Sequence, residues 1–235
     1  IRSSAYLDFC EEVYGYRTYF FNMMDKTQID FVLKTIQVSS EETIVDLGCG
    51  SGSILNLLVT KYGCKGIGID QLDSDIIERS NKAITYIKGD IDNISDYKIK
   101  PTITLSIDSL YFSNNLDKLL QQLNSFEKNK MYLFYSQYIF DETSVDKSIL
   151  QSNNTKIANI LNKNRIAFKT IDYSENERLL YENSLNALQR YKREFENEGN
   201  KDLYEQKLKE DMTGMELYNK NLARRYLYII DKCND

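Results

Sequence analysis

The sequence predicts a doubly wound α/β sheet, and three observations carry the prediction. From Thr43 onward, short apolar runs of strand length alternate with segments of helical periodicity. The first of those runs is short, mainly apolar and ends in glycine, as suits a buried parallel strand. Three glycines, Gly48, Gly50 and Gly52, stand at alternate positions directly after it, in a chain that has only 10 glycines among 235 residues.

Taken in order, residues 1–40 read as helical and rich in aromatic side chains. "TIVDLG" is the first strand. "SILNLLVTKYG" follows, with Ile54, Leu57, Leu58 and Tyr62 at helical spacing and Gly63 as its stop. "KGIGID" is a second strand ending on Asp70, and Asp73 or Ser74 caps the helix "SDIIERSNKA". "AITYIKGD" is a third strand ending near Asp90, and "TITLSID" a fourth ending at Asp108. Asn114 or Asn115 then caps a helix whose Leu116, Leu119, Leu120 and Leu123 form one apolar stripe. "MYLFYS" is a fifth strand, followed by a helix near 155–163 and the strand "RIAFKTIDYS". Residues 174–222 break the rhythm: they are charged and strand-poor, with Leu179, Leu185 and Leu188 at helical intervals, and predict two or more inserted helices. "RRYLYIID" is the last strand. Such alternation means right-handed crossovers within one sheet. The expected organisation is a single domain over 1–235, with helices in 1–40, a core in 41–173, an insert in 174–222 and the last strand in 223–235. No repeat or proline-rich linker divides it, Pro101 being the only proline.

Composition excludes several classes of function. A hydrophobic content of 42% supports a real core, and no run approaches 18 apolar residues, so no membrane partner is expected and the chain reads as soluble and cytoplasmic. Cys10, Cys49, Cys64 and Cys233 lie far apart with no CxxC pair, which fits neither a metal site nor a disulfide framework. A net charge of −5 argues against a nucleic-acid partner, because phosphate neutralisation requires a basic face. There is no histidine, so any chemistry must proceed without imidazole.

A glycine-rich turn between a first strand and a first helix lets backbone approach a ligand closely. The dinucleotide pattern G-x-G-x-x-G/A would place Gly or Ala at Ser53; the observed pattern is D-x-G-x-G-x-G, with Asp46 two residues before the first glycine. "VDLGCGSG" resembles the first motif of class I S-adenosylmethionine-dependent methyltransferases, which have a Rossmann-like sheet of about seven strands, the last antiparallel. The resemblance implies S-adenosylmethionine as cofactor. Asp46, Gly48, Cys49, Gly50 and Gly52 would then line its methionine and ribose portions. Asp70 would meet the ribose hydroxyls, with Gln71 beside it. Asp90 would meet the adenine amino group, with Ile91 against the ring. The same three acids otherwise read as caps of strands and helices. Motifs carry the resemblance over 40–140, and element order extends it to the last strand.

The resemblance also implies that the fourth strand's end, from Asp108 to Tyr111, faces the transferred methyl. Asp108 is expected both to bind cofactor and to orient an acceptor amine, and Tyr111 to pack on the sulfonium or the acceptor. "DSLY" shares its acid and aromatic with the Asp-Pro-Pro-Tyr motif of nucleic-acid amino-methyltransferases but lacks both prolines. The N-terminal helices would form a lid, with Tyr14, Tyr16, Tyr19 and Phe20 facing a cationic group; these aromatics otherwise read as core packing. The expected substrate residues are Tyr14, Tyr19, Tyr111 and Ser136. The expected reaction is in-line methyl transfer to a small-molecule acceptor at nitrogen, which needs mainly alignment and deprotonation. A protein or peptide acceptor, or a non-catalytic cofactor-binding module, are the rival readings, and oligomeric state is left open.

Overall fold

The computed structural model describes residues 3–36, 38–72, 81–141, 143 and 146–231. The predicted helix "SDIIERSNKA" and Cys233 fall wholly or largely outside them. Two N-terminal helices come first, α1 (Ser4–Tyr14) and α2 (Lys26–Thr35). Ser3 caps α1 by accepting the N–H of Tyr6, and Asp25 caps α2 by accepting that of Gln28. The alternation follows: β1 (Thr43–Leu47), α3 (Ser53–Tyr62), β2 (Lys65–Asp70), β3 (Ile84–Lys88), β4 (Ile103–Ile107), α4 (Leu116–Ser125), β5 (Lys130–Tyr138), α5 (Lys156–Lys163) and β6 (Lys169–Asp172). Two long helices, α6 (Ser174–Asn197) and α7 (Lys201–Asn219), precede β7 (Ala223–Ile230). Short 3-10 turns cover Ile91–Tyr97, Leu110–Phe112 and Lys147–Leu150.

The strand order is β3-β2-β1-β4-β5-β7-β6. Neighbours from β3 to β5 are parallel, and β7 runs antiparallel to both β5 and β6. The chain works outward from β1 to β3 and then returns to β4, so the order reverses between β1 and β4. At such a point the crossovers leave in opposite directions and a crevice opens beyond the strands' carboxyl ends.

Apolar faces explain the layers. One side of the sheet packs Phe9, Ile29, Leu55 and Leu58 against Leu105, Phe134 and Leu227. The other packs Leu119, Leu120, Leu123, Ile157 and Leu161 against Val45, Leu133 and Tyr228. The leucine stripe of α4 is wholly buried, each side chain contributing about 2 kcal/mol of transfer free energy, and Asn115 caps the helix by accepting from Lys118. β6 is only four residues, because the N–H of Ser174 turns to Asp172 Oδ1 and α6 begins there. The insert is an α6–α7 hairpin fused to the N-terminal helices: Glu198 accepts from Ser3 Oγ (2.6 Å) and from the Ala5 N–H (2.9 Å). Among the described residues, no helix is long and apolar enough to cross a membrane.

Candidate active site

The glycine turn is built from the end of β1. Gly48 and Cys49 both donate to the carbonyl of Ile69 at the end of β2 (2.7 and 3.1 Å). Gly50 donates to Asp70 Oδ2 (2.8 Å), and Leu72 to Asp70 Oδ1 (2.9 Å). Asp70 thus fixes the turn with its own side chain. Gly48, Gly50 and Gly52 all take positive φ (68°, 53° and 74°), a region costly to side chains. Their surroundings differ. A Cβ on Gly48 would overlap that of Ser109, where the ends of β1 and β4 converge, whereas a Cβ on Gly50 would meet nothing within 4 Å.

Gly50 faces a cavity of about 590 Å³ in the crevice between β1 and β4. Its floor is the turn together with Asp46, Asp70, Gln71, Ile91 and Asp108. Tyr6 and the lid segment 19–23 form one wall, and Gln206, Lys207 and Glu210 of α7 close another side. The lid is anchored to the turn: the Tyr19 carbonyl accepts from the hydroxyls of Ser51 (2.6 Å) and Ser53 (3.2 Å).

Asp46 is the most telling side chain on this floor. It is 3% exposed and has no hydrogen-bond partner among the described residues. Burial, reinforced by the charge of Asp70, pushes its carboxyl up to about 8. Burial likewise pushes up the Cys49 thiol, with Asp46 and Asp70 adding to it. A carboxyl this buried without a donor carries a desolvation cost that a cation or a donor from outside the chain would relieve.

The other sequence-selected residues divide. Tyr19 lines the cavity, its hydroxyl accepting the Ser3 N–H (3.0 Å). Asp90 is not part of the lining; its Oδ1 accepts the Asp92 N–H and caps the turn at Ile91–Tyr97. Asp108 lines the cavity, but its carboxylate is committed to Arg225, through Nη1 (2.6 Å) and Nη2 (3.0 Å), and to the Met23 N–H (2.8 Å). It is held as an anchor, not as a free carboxylate awaiting an amine.

Three expected substrate residues lie outside the cavity lining. Tyr14 is 1% exposed and packs on Phe9 and Phe20, because α1 turns that face into the core. Tyr111 stacks on Tyr135 (4.7 Å) and its hydroxyl accepts the Ser136 N–H (2.7 Å), tying it to β5 rather than to the cavity. Ser136 is buried between Glu177 (2.7 Å) and Arg225 (3.0 Å).

The sequence reading missed Arg225 on the last strand and Glu177, Lys207 and Glu210, the latter three lying in charged stretches with nothing to separate them from solvated neighbours. It also missed the lid residues Phe21 and Met23. For Arg225 a signal existed: it directly precedes the apolar run "YLYII" in the last strand, where an arginine needs a buried partner.

Comparison with known proteins adds three findings. A family model described as methionine biosynthesis protein MetW matches residues 26–119, less than half of the chain. No curated protein matches it. Solved structures do. A Haemonchus contortus phosphoethanolamine N-methyltransferase, in complex with phosphomonomethylethanolamine and S-adenosylhomocysteine, has a TM-score of 0.77 at 14% identity, over 96% of this chain and 57% of that one. This chain therefore spans little more than half of that enzyme's length. A cyclopropane synthase from Mycobacterium tuberculosis has a TM-score of 0.73 at 12% identity, covering 97% and 96% of the two chains. An S-adenosylmethionine-dependent methyltransferase from Geobacter sulfurreducens, in complex with S-adenosylhomocysteine, has a TM-score of 0.62 at 12% identity, covering 96% and 98%. Such identities establish architecture and leave substrate open. Strand order, the glycine turn and these neighbours lead to one conclusion: the chain is built on the fold of the class I S-adenosylmethionine-dependent methyltransferases.

Proposed function

We propose that the protein transfers a methyl group from S-adenosylmethionine to a small molecule, at nitrogen. The observation that carries the reading is the pairing of an open space over Gly50 with the donor-less Asp46 beneath it, in one cavity. That space fits the cofactor: a volume of about 590 Å³ is within the ~300–1,000 Å³ of ligand pockets, and Asp46 offers a carboxylate to an amino-acid ammonium. Asp70, held by two backbone N–H groups, keeps lone pairs for hydroxyl donors, and Ile91 gives an apolar surface for a base.

Bound there, S-adenosylmethionine supplies an electrophilic methyl on a sulfonium. In this reading the end of β4, at Asp108, borders the methyl. The chain's contribution is alignment and exclusion of water, effects together capable of roughly 7–11 kcal/mol. Lid residues 19–23 and α7 roof the space, which supports a small acceptor over a protein chain needing an open groove. Nitrogen is favoured because a deprotonated amine needs no strong base and the chain has no imidazole. That the Haemonchus neighbour is by name an N-methyltransferase is consistent with this.

Calorimetry with S-adenosylmethionine and S-adenosylhomocysteine tests the cofactor. Labelled methyl transfer to amine, phenol and carboxylate panels then tests the acceptor. Absence of binding at high micromolar concentration defeats the first claim, and labelling confined to oxygen acceptors defeats the second.

A further inference from the structure

Behind Asp108 lies a buried charge cluster that the methyl-transfer reading leaves unused. Arg225 stands on β7 opposite Ser136 of β5 and is 0% exposed. Besides its two bonds to Asp108, its Nη1 reaches Glu177 Oε1 (3.3 Å) and its Nε donates to Gln28 Oε1 (2.9 Å). Glu177, on the first turn of α6, is also 0% exposed and is not part of the cavity wall. Its Oε1 accepts from Ser136 Oγ (2.7 Å) and Tyr138 Oη (3.0 Å) as well as from Arg225, and its Oε2 accepts from Tyr218 Oη. Burial, with the nearby charge of Asp108, pushes this carboxyl above its ordinary range, and Arg225 and the hydroxyl donors that converge on it oppose that shift and favour the ionised form.

The cluster therefore joins two carboxylates to one guanidinium. The remaining hydrogen-bond partners of Glu177 and Arg225 among the described residues are serine, tyrosine and glutamine side chains, which carry no charge. Lys207, a cation of the cavity wall, is paired with Asp211 (2.7 Å) in the same helix. One negative charge is left over, shielded from water except where Asp108 meets the cavity. In such surroundings an uncompensated charge acts over several ångströms at a strength that water would quench.

On the methyltransferase reading above, on which this inference rests, we propose that Glu177 makes the β4 end of the cavity selective for a positively charged ligand group. The preferred groups are the donor's sulfonium before transfer and the methylated ammonium after it. In the transfer the carbon–sulfur bonding pair stays on sulfur and the nitrogen lone pair forms the new bond. The positive charge thus passes from sulfur to nitrogen within reach of the same cluster, while the demethylated cofactor left behind is neutral at sulfur and loses the attraction. Glu177 touches neither partner. It acts by supplying the charge that Arg225 would otherwise cancel.

Three ligands read this charge without any acceptor: S-adenosylmethionine, its neutral product S-adenosylhomocysteine, and sinefungin, which carries an ammonium in place of the sulfonium methyl. Calorimetry on the full chain is expected to show both cationic ligands binding about tenfold more tightly than the neutral one. Glu177→Gln should bring that ratio close to one while leaving S-adenosylhomocysteine affinity within about twofold, and Glu177→Asp should keep the preference. A merely structural role would weaken all three ligands together. Equal affinities in the wild-type protein overturn the proposal without need of a variant, so a folding failure of Glu177→Gln leaves the test standing. A ratio unchanged in a folded Glu177→Gln protein also overturns it. Binding of none of the three overturns the methyltransferase reading, and this inference with it.

Discussion

Asp46 pairs a carboxyl with almost no solvent and no internal donor, and its titration follows from that. In the unfolded chain the group ionises near its ordinary 3.8; in the native cavity it holds its proton up to about 8. Between those values the native state binds more protons than the unfolded state, so stability falls as pH rises, by up to ~1.4 kcal/mol per pH unit from this group alone. Asp46→Asn removes the titration. Urea unfolding should find the variant close to wild type near pH 4 and more stable by a few kcal/mol at pH 8, with cofactor affinity reduced. A pH profile parallel to wild type would mean that Asp46 is ionised in the empty cavity. In the sequence, Asp46 and Asp70 stood out through the motif that "VDLGCGSG" resembles and through their places near strand ends, and both line the cavity. Tyr14 and Tyr111 fall outside the lining, and a tyrosine beside a cavity and one behind it read the same in sequence.

At the scale of elements, the turn after β1 separates two uses of glycine. Gly48 lies where two strand ends meet and its Cβ would overlap Ser109, while Gly50 borders open space. Both take positive φ, which costs other residues roughly 1–2 kcal/mol. Gly48→Ala should add a packing clash to that cost and lower stability by about 2–4 kcal/mol. Gly50→Ala should lower it by only about 1 kcal/mol yet weaken S-adenosylhomocysteine binding at least tenfold, because the new methyl intrudes on the ligand's space. Comparing denaturation midpoints with calorimetric affinities checks both, and the reverse order would place the ligand elsewhere. The strands and α4 were legible because apolar period and caps are local properties. The length of β6 was not: whether "RIAFKTIDYS" stays extended depends on Asp172 receiving the Ser174 N–H and on α6 finding α7.

Across the whole molecule, Arg225 joins parts distant in sequence: Asp108 on the β4 side, Ser136 on β5, Glu177 on α6 and, through Gln28, the lid helix α2. Burial opposes its charge, and the carboxylates of Asp108 and Glu177 outweigh that and hold it protonated. Arg225→Met would leave the buried Glu177 and the partly buried Asp108 without their shared cation. Loss of about 3–5 kcal/mol is expected in urea unfolding, with the lid at Met23 released first in hydrogen exchange. Retention of wild-type stability would show that the cluster is hydrated and weakly coupled.

The sequence by itself determined the layer architecture and the turn at the end of β1. Strand period, glycine spacing and capping act between residues a few positions apart, so composition and order specify them. Only the tertiary structure decided which aromatics face the cavity, that Asp108 is anchored rather than free, and that Arg225 and Glu177 stand behind it. Those facts depend on the β5–β7 register and on the α6–α7 hairpin closing over the lid, contacts between segments as much as 197 positions apart. Charge complementarity at such separations is settled by where the chain brings burial and partners together, which no local pattern encodes.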